Sequence, residues 1–321
     1  MVGVDFGLSV TDAVLVRGGR AERHASLLRP GPASPEVLRA ALQALDVGGD
    51  EPAAVAVTGG RSRELAGAPG VVVVEEPEAI GRGALALAGL DRALAVSCGT
   101  GTAMVVADAP NGAFRHATGT PVGGGTLEGL GKALLGVGLA SEVAAMAARG
   151  DASQVDTTLG EVLGGGLAGL PPRATAVSLG RLARLEDEPA PEDLAAGLTT
   201  MVAQTISLLA LNAKAAHGLP SAVFVGRLAG LPFVRDMIGA VFAVYGQEAP
   251  LVPAGGETAV ALGAALAARL DRIQGSVPQV VMHNDAVVQG LSELHRMRRS
   301  RRWGVLTIGT GLGNASYSNL G

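Results

Sequence analysis

Two segments in which a glycine turn joins two apolar runs constrain the fold of this chain more than any other feature. In the first, residues 2–16, the runs flank a turn at Gly7–Ser9. In the second, residues 93–107, they flank Gly99-Thr100-Gly101. Short apolar runs on either side of a glycine turn are typical of β-hairpins. The sequence therefore predicts two β-hairpins around which the remaining chain has to pack.

The remaining apolar segments alternate between strand and helix patterns. Strands are predicted at Ala53–Val57, Val71–Val74, Ala222–Val225, Pro278–Val281 and Trp303–Ile308. Strands that alternate with helices predict an α/β fold in which helices pack on mixed sheets. The helices are predicted at Pro35–Leu45 (with Ser34 as its N-cap), Ala79–Leu90, Thr126–Leu135, Ser141–Ala148, Pro191–His217, Phe233–Tyr245 and Glu257–Ile273.

The composition predicts a soluble, cytoplasmic protein with no nucleic-acid or membrane partner. The 321 residues suit one large domain or two lobes, and a hydrophobic content of 48% is enough for a sizeable core. A formal charge of −4 does not favour a polyanion as partner. The single Cys98 excludes an internal disulfide and fits a reducing compartment. The first residues lack the basic flank of a signal peptide, and no charge-free run is typical of a membrane span.

Asp5 is a carboxylate inside the apolar first strand, a costly position unless it is paired or meets a metal. One interpretation is an aspartate at a strand end that caps the Gly7 turn. In the other, Gly7, Ser9 and Thr11 present N–H groups and hydroxyls to a phosphate while Asp5 holds Mg²⁺ through water. The residues alone leave both interpretations open.

Two further glycine turns fit phosphate binding. Residues 99–102 combine glycines, which allow close approach of the backbone, with the hydroxyls of Thr100 and Thr102. Gly123-Gly124-Gly125-Thr126 opens a helix, and a helix N-terminus favours anions. Each turn taken alone fits a tight hairpin or a glycine-rich connector just as well. Three such turns along one chain favour a nucleotide site.

In this order the motifs resemble the actin-like ATPase fold, a ribonuclease H-like fold in which two lobes close on a nucleotide. Within it, residues 1–270 resemble a type II pantothenate kinase. The resemblance implies an N-terminal lobe over residues 1–92 and a second lobe over residues 93–274. The matching segments are GVDFGLSVTDAVL, VTGGRSREL, EEPEAIGRG, VSCGTGTAMV, GTPVGGGTLEGLGKALLG, QVDTTLGEVLGG, RATAVSLGRL, VFVGRLAGLP and GGETAVALGAALA.

The resemblance implies ATP-dependent phosphorylation of pantothenate to 4′-phosphopantothenate, the first step of coenzyme A biosynthesis, with Mg²⁺ and in a homodimer. Glu76, with Gly83 seven positions later, matches the family's catalytic acidic residue. It would take the proton from the acceptor hydroxyl as that oxygen attacks the γ-phosphate. Without the resemblance, Glu75, Glu76 and Glu78 would be interpreted as a solvated acidic turn.

The same resemblance implies the contacts of the nucleotide and of the acceptor. The implied residues are Asp5, Gly7, Ser9, Thr11, Thr100, Gly101 and Thr102 for the phosphates and Mg²⁺; Gly123, Gly124, Gly125 and Thr126 for the ribose–phosphate side; Gly226 and Arg227 for the adenine side; and Arg115, His116 and Thr120 for the acceptor.

Three positions depart from the family pattern. Asp12 stands where the family usually has Lys, and Arg227 where it has a second Gly. His116, with Arg115 beside it, stands where the family has an Arg that contacts the pantothenate carboxylate, and His cannot make the same bidentate contact. The departures leave three functions open: a pantothenate kinase, a kinase for another small hydroxylated metabolite such as a pantothenate-like amide or a sugar, and a non-catalytic nucleotide-binding protein.

Residues 275–321 resemble a fragment of another branch of the same fold, the ROK-type sugar kinases. The segments are HNDAVVQGLSEL, where Asp285 matches the sugar-hydroxyl base, and VLTIGTGLGNASYSN, which contains a second Gly-Thr-Gly turn. The basic run Arg296–Arg302 between them fits a solvated loop. Because the hairpin and the nucleotide half are missing from this fragment, we expect the first turn to be the working one. The tail is then an acquired or remnant segment on the surface, or an oligomer contact.

Overall fold

The computed structural model describes residues 1–46, 54–270, 302–308 and 312–318. The chain divides into two compact units, Met1–Leu270 and Asp271–Gly321. Asp285 and most of the basic run lie outside the described residues, so the predictions made for them stay predictions.

The first sheet of the larger unit has five strands in the order β3-β2-β1-β4-β5. The β1–β2 and β2–β3 pairs are antiparallel, whereas β4 is parallel to both β1 and β5. The sequence did not predict β3, an edge strand whose residues are mostly exposed and polar. The strands are β1 (Val2–Phe6), β2 (Val10–Arg17), β3 (Arg20–Leu28), β4 (Val55–Gly59) and β5 (Val71–Val73).

The second sheet has four strands in the order β11-β6-β7-β8, with β11 parallel to β6 and the other pairs antiparallel. The edge strand β8 was also missed, because it has no apolar run. The strands are β6 (Arg92–Cys98), β7 (Thr102–Asp108), β8 (Ala113–Thr120) and β11 (Ala222–Val225), and a separate antiparallel pair consists of β9 (Thr157–Thr158) and β10 (Thr175–Val177).

Seven of the described helices lie close to their predicted positions, whereas the short helices Leu159–Leu163 and Arg227–Gly230 were not predicted. Ser34 caps the first one, since its Oγ accepts a hydrogen bond from the Val37 N–H at 3.2 Å. The helices are α1 (Pro35–Ala44), α2 (Glu76–Ala88), α3 (Gly124–Leu135), α4 (Ala140–Ala147), α5 (Leu159–Leu163), α6 (Pro191–Ala216), α7 (Arg227–Gly230), α8 (Pro232–Val244) and α9 (Ala259–Leu270). The prediction of an α/β fold with mixed sheets flanked by helices is confirmed.

Two helices, α2 and α9, lie between the two sheets. Helix α9 packs on β1, β2 and β4 of the first sheet, α2 packs on the second sheet, and the two helices pack on each other. The outer face of the first sheet forms a core with α1, and the outer face of the second forms a larger core with α3, α4, α6 and α8. The inner strands of both sheets are therefore buried on both faces, as apolar strands require, whereas the edge strands β3 and β8 stay largely exposed.

Glycine makes the close α2–α9 packing possible. A Cβ at Gly83 of α2 would overlap the carbonyl oxygen of Ala259, and a Cβ at Gly263 of α9 would overlap that of Ala79. The two backbones are therefore in direct contact. The place of Gly83 in the sequence motif thus has a packing explanation, seven residues from Glu76 on the same helix.

Helix α6 is the one described helix that is long and apolar enough to cross a membrane, and α3 with α4 would qualify only as one sharply bent span. Of the most apolar window of α6, 67% is buried inside the protein. That burial accounts for its composition, because its apolar side packs in the core beneath the second sheet.

The smaller unit contains one described antiparallel pair, β12 (Arg302–Ile308) and β13 (Leu312–Ser318). A strand from Trp303 to Ile308 was predicted, and it is confirmed. The predicted strand Pro278–Val281 lies outside the described residues.

Candidate active site

A cleft of about 690 Å³ opens in the larger unit where β1 and β4 end and β6 turns into β7. Its lining combines backbone turns from both sheets with the first residue of α2. Of the residues predicted for the site, the following line the cleft: Asp5, Gly7, Glu76, Thr100, Gly101, Thr102 and Thr120.

Asp5 belongs to a row of polar side chains that crosses the first sheet. In the strand register it lies beside Asp12 on one side and Thr58 on the other, and Asp12 lies beside Ser26. Residues opposite each other in neighbouring strands share a face of the sheet, here the face toward α9 and the cleft. Gly59 must be glycine, because its φ is +85° and a Cβ would lie 2.5 Å from Asp5 Oδ1.

The pKa of Asp5 is raised from 3.8 to about 8, chiefly by burial and in addition by the nearby acidic side chains of Glu76 and Asp12. A carboxyl group with no cation to offset its burial favours the neutral form. A cation bound in the cleft would stabilise the ionised form of Asp5 by offsetting its burial. Asp5 is therefore suited to act as a metal ligand.

Glu76 is the first residue of α2 and lies on the cleft wall. Its two acidic neighbours are engaged elsewhere: Glu75 accepts from Arg63 at 2.8 Å, and Glu78 accepts from Arg82 at 2.7 Å. The three glutamates are therefore not equivalent, and the one matched by the family motif is the one that faces the cleft.

The two glycine turns touch across the cleft. Ser9 Oγ and Thr100 Oγ1 are 2.9 Å apart and share a hydrogen bond. Thr102 Oγ1 donates to the Val122 carbonyl at 2.9 Å, so its hydroxyl hydrogen is used within the second sheet's own loops. Ser9 and Thr100 thus present hydroxyls between the two turns. Thr102 instead stabilises the loop that contains Val122.

The Gly123–Thr126 segment packs against the Gly99–Gly101 turn. The N–H groups of Gly124 and Gly125 donate to the carbonyls of Gly99 and Thr100 at 2.8 and 2.9 Å. A Cβ at Gly123 would lie 2.7 Å from the Thr100 carbonyl oxygen. In this structure the segment holds the turn in place, and its predicted contact with the ribose–phosphate side stays a prediction.

Gly226 and Arg227 reach both sheets. Gly226 has φ +94°, and a Cβ there would overlap the Cys98 backbone. The Arg227 guanidinium donates to Asp12 Oδ1 and, at 2.7 Å, to Ser26 Oγ, and Ser26 Oγ donates to Asp12 at 2.6 Å. Burial raises the pKa of Asp12, although Ser26 and Arg227 act to lower it. Two of the three departures from the family pattern therefore form one ion pair between the sheets.

Ten of the predicted site residues are absent from the cleft lining: Ser9, Thr11, Arg115, His116, Gly123, Gly124, Gly125, Thr126, Gly226 and Arg227. Thr11 is fully buried opposite Phe6, on the α1 side of the first sheet, and its Oγ1 has no hydrogen-bond partner among the described residues. Arg115 and His116 pair with Val106 and Val105, which belong to cores on opposite faces of the second sheet.

Because they face opposite ways, Arg115 and His116 cannot bind the same carboxylate. Arg115 lies 3.5 Å from His217 Nδ1 at the end of α6. The His116 ring lies on the α2 side, with Nε2 beside Gly119. The structure thus places Arg115 and His116 on opposite faces of the second sheet, although the resemblance implied that both contact the acceptor.

Arg61 is a cleft residue that the sequence analysis did not single out. It follows β4 and Gly59-Gly60, adopts the left-handed conformation with φ +60°, and lines the cleft. It stands inside the quoted segment VTGGRSREL, and a charged residue directly after two glycines at a strand end was the available signal.

Residues 93–249 match the protein family described as Fumble. They cover almost half of the chain. A type II pantothenate kinase of Bacillus cereus is 26% identical over 156 residues, which are 49% of this chain and 57% of that protein. Pantothenate kinase 1 of Arabidopsis thaliana is 32% identical over 153 residues, 45% of this chain and 39% of that protein. The resemblance to type II pantothenate kinases is confirmed. The match covers a little over half the length of the bacterial relative and less of the plant one.

Solved structures show the same fold at low sequence identity. The activator of 2-hydroxyisocaproyl-CoA dehydratase from Clostridium difficile, with bound ADPNP, has a TM-score of 0.60 and 18% identity over 86% of this chain and 98% of its own. A ROK family glucokinase from Streptomyces griseus, in complex with glucose and AMPPNP, has a TM-score of 0.51 and 19% identity over 84% and 98%. The predicted actin-like ATPase fold is confirmed.

Proposed function

We propose that this chain is an ATP-dependent kinase that phosphorylates pantothenate to 4′-phosphopantothenate, the first step of coenzyme A biosynthesis. The observation that supports it most is a single cleft in which Glu76 and Asp5 face the Gly99–Thr102 turn. Similarity to pantothenate kinases over about half of the chain favours pantothenate as the acceptor.

In the proposed reaction Glu76 accepts the proton of the acceptor hydroxyl. The oxygen forms a bond to the γ-phosphorus while the bond from that phosphorus to the β–γ bridging oxygen breaks, and ADP leaves with the electron pair. Glu76 suits this function because it stands free of the arginines that engage Glu75 and Glu78. A positioned carboxylate base typically contributes roughly 10²–10⁴-fold to rate.

The phosphates would bind between the two glycine turns. Ser9 and Thr100, which share a hydrogen bond, would each turn a hydroxyl toward the phosphate oxygens. The N–H groups of Thr100 and Gly101 would add donors, whereas the Gly99 N–H already donates to the Gly101 carbonyl at 2.9 Å.

Asp5 is the residue that would hold Mg²⁺. Among the described residues no group of three or more metal-binding side chains exists, so the protein alone offers an incomplete ligand set. Mg²⁺ usually keeps several waters and binds one or two carboxylates together with substrate phosphates, which fits the buried, uncompensated carboxyl of Asp5. The ion would supply neutralisation of phosphate charge.

A second candidate is a kinase for another small hydroxylated acceptor, such as a pantothenate-like amide or a sugar. It is favoured by the separation of Arg115 from His116 on opposite faces of the second sheet. An acceptor without a carboxylate would need neither residue.

ADP release measured with a panel of acceptors tests the proposal. We expect turnover with pantothenate that exceeds turnover with glucose and N-acetylmannosamine, with pantetheine as a carboxylate-free comparison. Preference for pantetheine or a sugar would establish the second candidate instead. No acceptor-dependent release with any of them would refute kinase activity toward this class and leave a nucleotide-binding protein.

A further inference from the structure

The charged lining of the cleft is unbalanced. Its described lining residues include the carboxylates Asp5 and Glu76 and a single cation, Arg61. Even with Asp5 in its neutral form, this lining offers little to an anionic group, so a substrate with a carboxylate of its own needs a cation near where that group lies. Arg61 is the described lining residue that can provide it.

The fold places Arg61 on the same side of Asp5 as Glu76, away from the Gly7–Ser9 turn. Strand order β2-β1-β4-β5 puts the Gly7–Ser9 turn on one side of Asp5 and the residues that follow β4 and β5 on the other. Arg61 follows β4 and Glu76 follows β5. Arg61 therefore lies on the side of the cleft that contains the proposed base and away from the first hairpin turn.

The guanidinium of Arg61 is already oriented for a carboxylate. Its Nε and Nη2 donate to the two carboxylate oxygens of Glu64 at 2.6 and 2.9 Å, a bidentate arrangement. The pair is exposed, with 60% of the Arg61 side chain and 52% of the Glu64 side chain accessible. Exposed ion pairs contribute little to stability, so a ligand carboxylate can share or replace Glu64 at small cost.

We propose that Arg61 binds the carboxylate of the acceptor and so determines specificity for carboxylate-bearing acceptors. The inference rests on the proposed function, because it assumes that pantothenate or a close analogue enters this cleft. It gives Arg61 the function that the sequence resemblance had assigned to Arg115 and His116, which lie on two different faces of the second sheet.

The test compares Arg61→Gln with Arg17→Gln, a matched control that removes another exposed arginine paired with a glutamate on the same sheet. We expect Arg61→Gln to raise KM for pantothenate roughly 10- to 100-fold, the range for a lost hydrogen bond to a charged group. KM for pantetheine and for ATP should change less than about threefold, and Arg61→Lys should fall between wild type and Arg61→Gln because it keeps charge without the bidentate geometry. Circular dichroism of each variant checks folding.

Calorimetric binding of pantothenate, in the presence of a non-hydrolysable ATP analogue, gives a second measurement that does not need turnover. Weaker pantothenate binding in Arg61→Gln alone supports the inference even if phosphoryl transfer is not observed. Equal losses for pantothenate and pantetheine, a selective rise in KM for ATP, or wild-type affinity in Arg61→Gln would each overturn it. Absence of turnover with every acceptor in the wild-type chain would refute the proposed function, which is a separate outcome.

Discussion

The β1–β2 and β6–β7 hairpins have the same backbone plan and different chemistry. Each has a cleft-facing residue two positions before the first glycine of its turn: Asp5 before Gly7 and Ser97 before Gly99. The residue between them, Phe6 or Cys98, is buried in the outer core of its own sheet. The partner across the hairpin is Asp12 for Asp5 and Ala103 for Ser97.

The difference shows how one supersecondary unit can supply the two walls of a site. The first hairpin contributes the acidic side chains of Asp5 and Asp12, whose burial costs free energy. The second contributes hydroxyls and backbone N–H groups, which bring no buried charge. A cleft built from two charged hairpins would repel phosphate, and one built from two neutral hairpins would lack the metal ligand that Asp5 provides. The following experiments weaken one wall at a time.

The largest effect is expected at Glu76. Glu76→Gln should reduce turnover roughly 10²–10⁴-fold while ATP still binds, because the amide cannot accept the acceptor proton. Glu75→Gln is the matched control, since Glu75 is adjacent but paired with Arg63. Steady-state ADP release and nucleotide binding by calorimetry are the measurements. Near-wild-type turnover in Glu76→Gln would mean that the charged wall does not contain the base.

A pH-dependent stability change is expected at Asp5. Its pKa is raised from 3.8 to about 8, so the folded chain binds a proton that the unfolded chain has lost between these values. Stability from this group is therefore present below about pH 4 and is lost as pH rises through 8. Asp5→Asn removes the titration and should be the more stable protein at pH 8, by on the order of a few kcal/mol at about 1.4 kcal/mol per pKa unit.

Urea unfolding between pH 4 and 8, with EDTA and without nucleotide, measures this difference. The advantage of Asp5→Asn should grow with pH, whereas Asp46→Asn, at an aspartate whose side chain is 94% exposed, should give a nearly flat difference. A pH-independent difference in the free energy of unfolding for Asp5→Asn would show that ionisation of Asp5 does not destabilise the folded chain.

The smallest of these effects is expected for the ion pair between the walls. Asp12→Asn, Arg227→Gln and the double variant form a cycle in which we expect a coupling of about 1 to 2 kcal/mol. Arg227→Gln should be the more destabilising single change, because it leaves the buried Asp12 charge uncompensated beside Asp5. Equal single effects with no coupling would mean that the pair is incidental to the contact between the sheets.

The sequence predicted well the elements whose apolar residues face a core. The hairpin strands, the helices and the Ser34 cap follow from local pattern. It missed β3 and β8 because edge strands with exposed polar residues carry no apolar alternation. It also missed the pairing of Asp12 with Arg227, since a contact between residues 215 positions apart depends on how two sheets meet and has no local signal.

The direct backbone contact between α2 and α9 has a mechanical consequence. With no side chains between Gly83 and Gly263, the helices have no compressible layer there, and a rotation of one sheet relative to the other has to pivot about that contact. Glu76 lies on the same helix as Gly83, seven residues or about 10 Å along α2 from this contact at 1.5 Å per residue. A rotation of only a few degrees would therefore displace the carboxylate by less than an ångström, enough to align or misalign a base without opening the cleft widely.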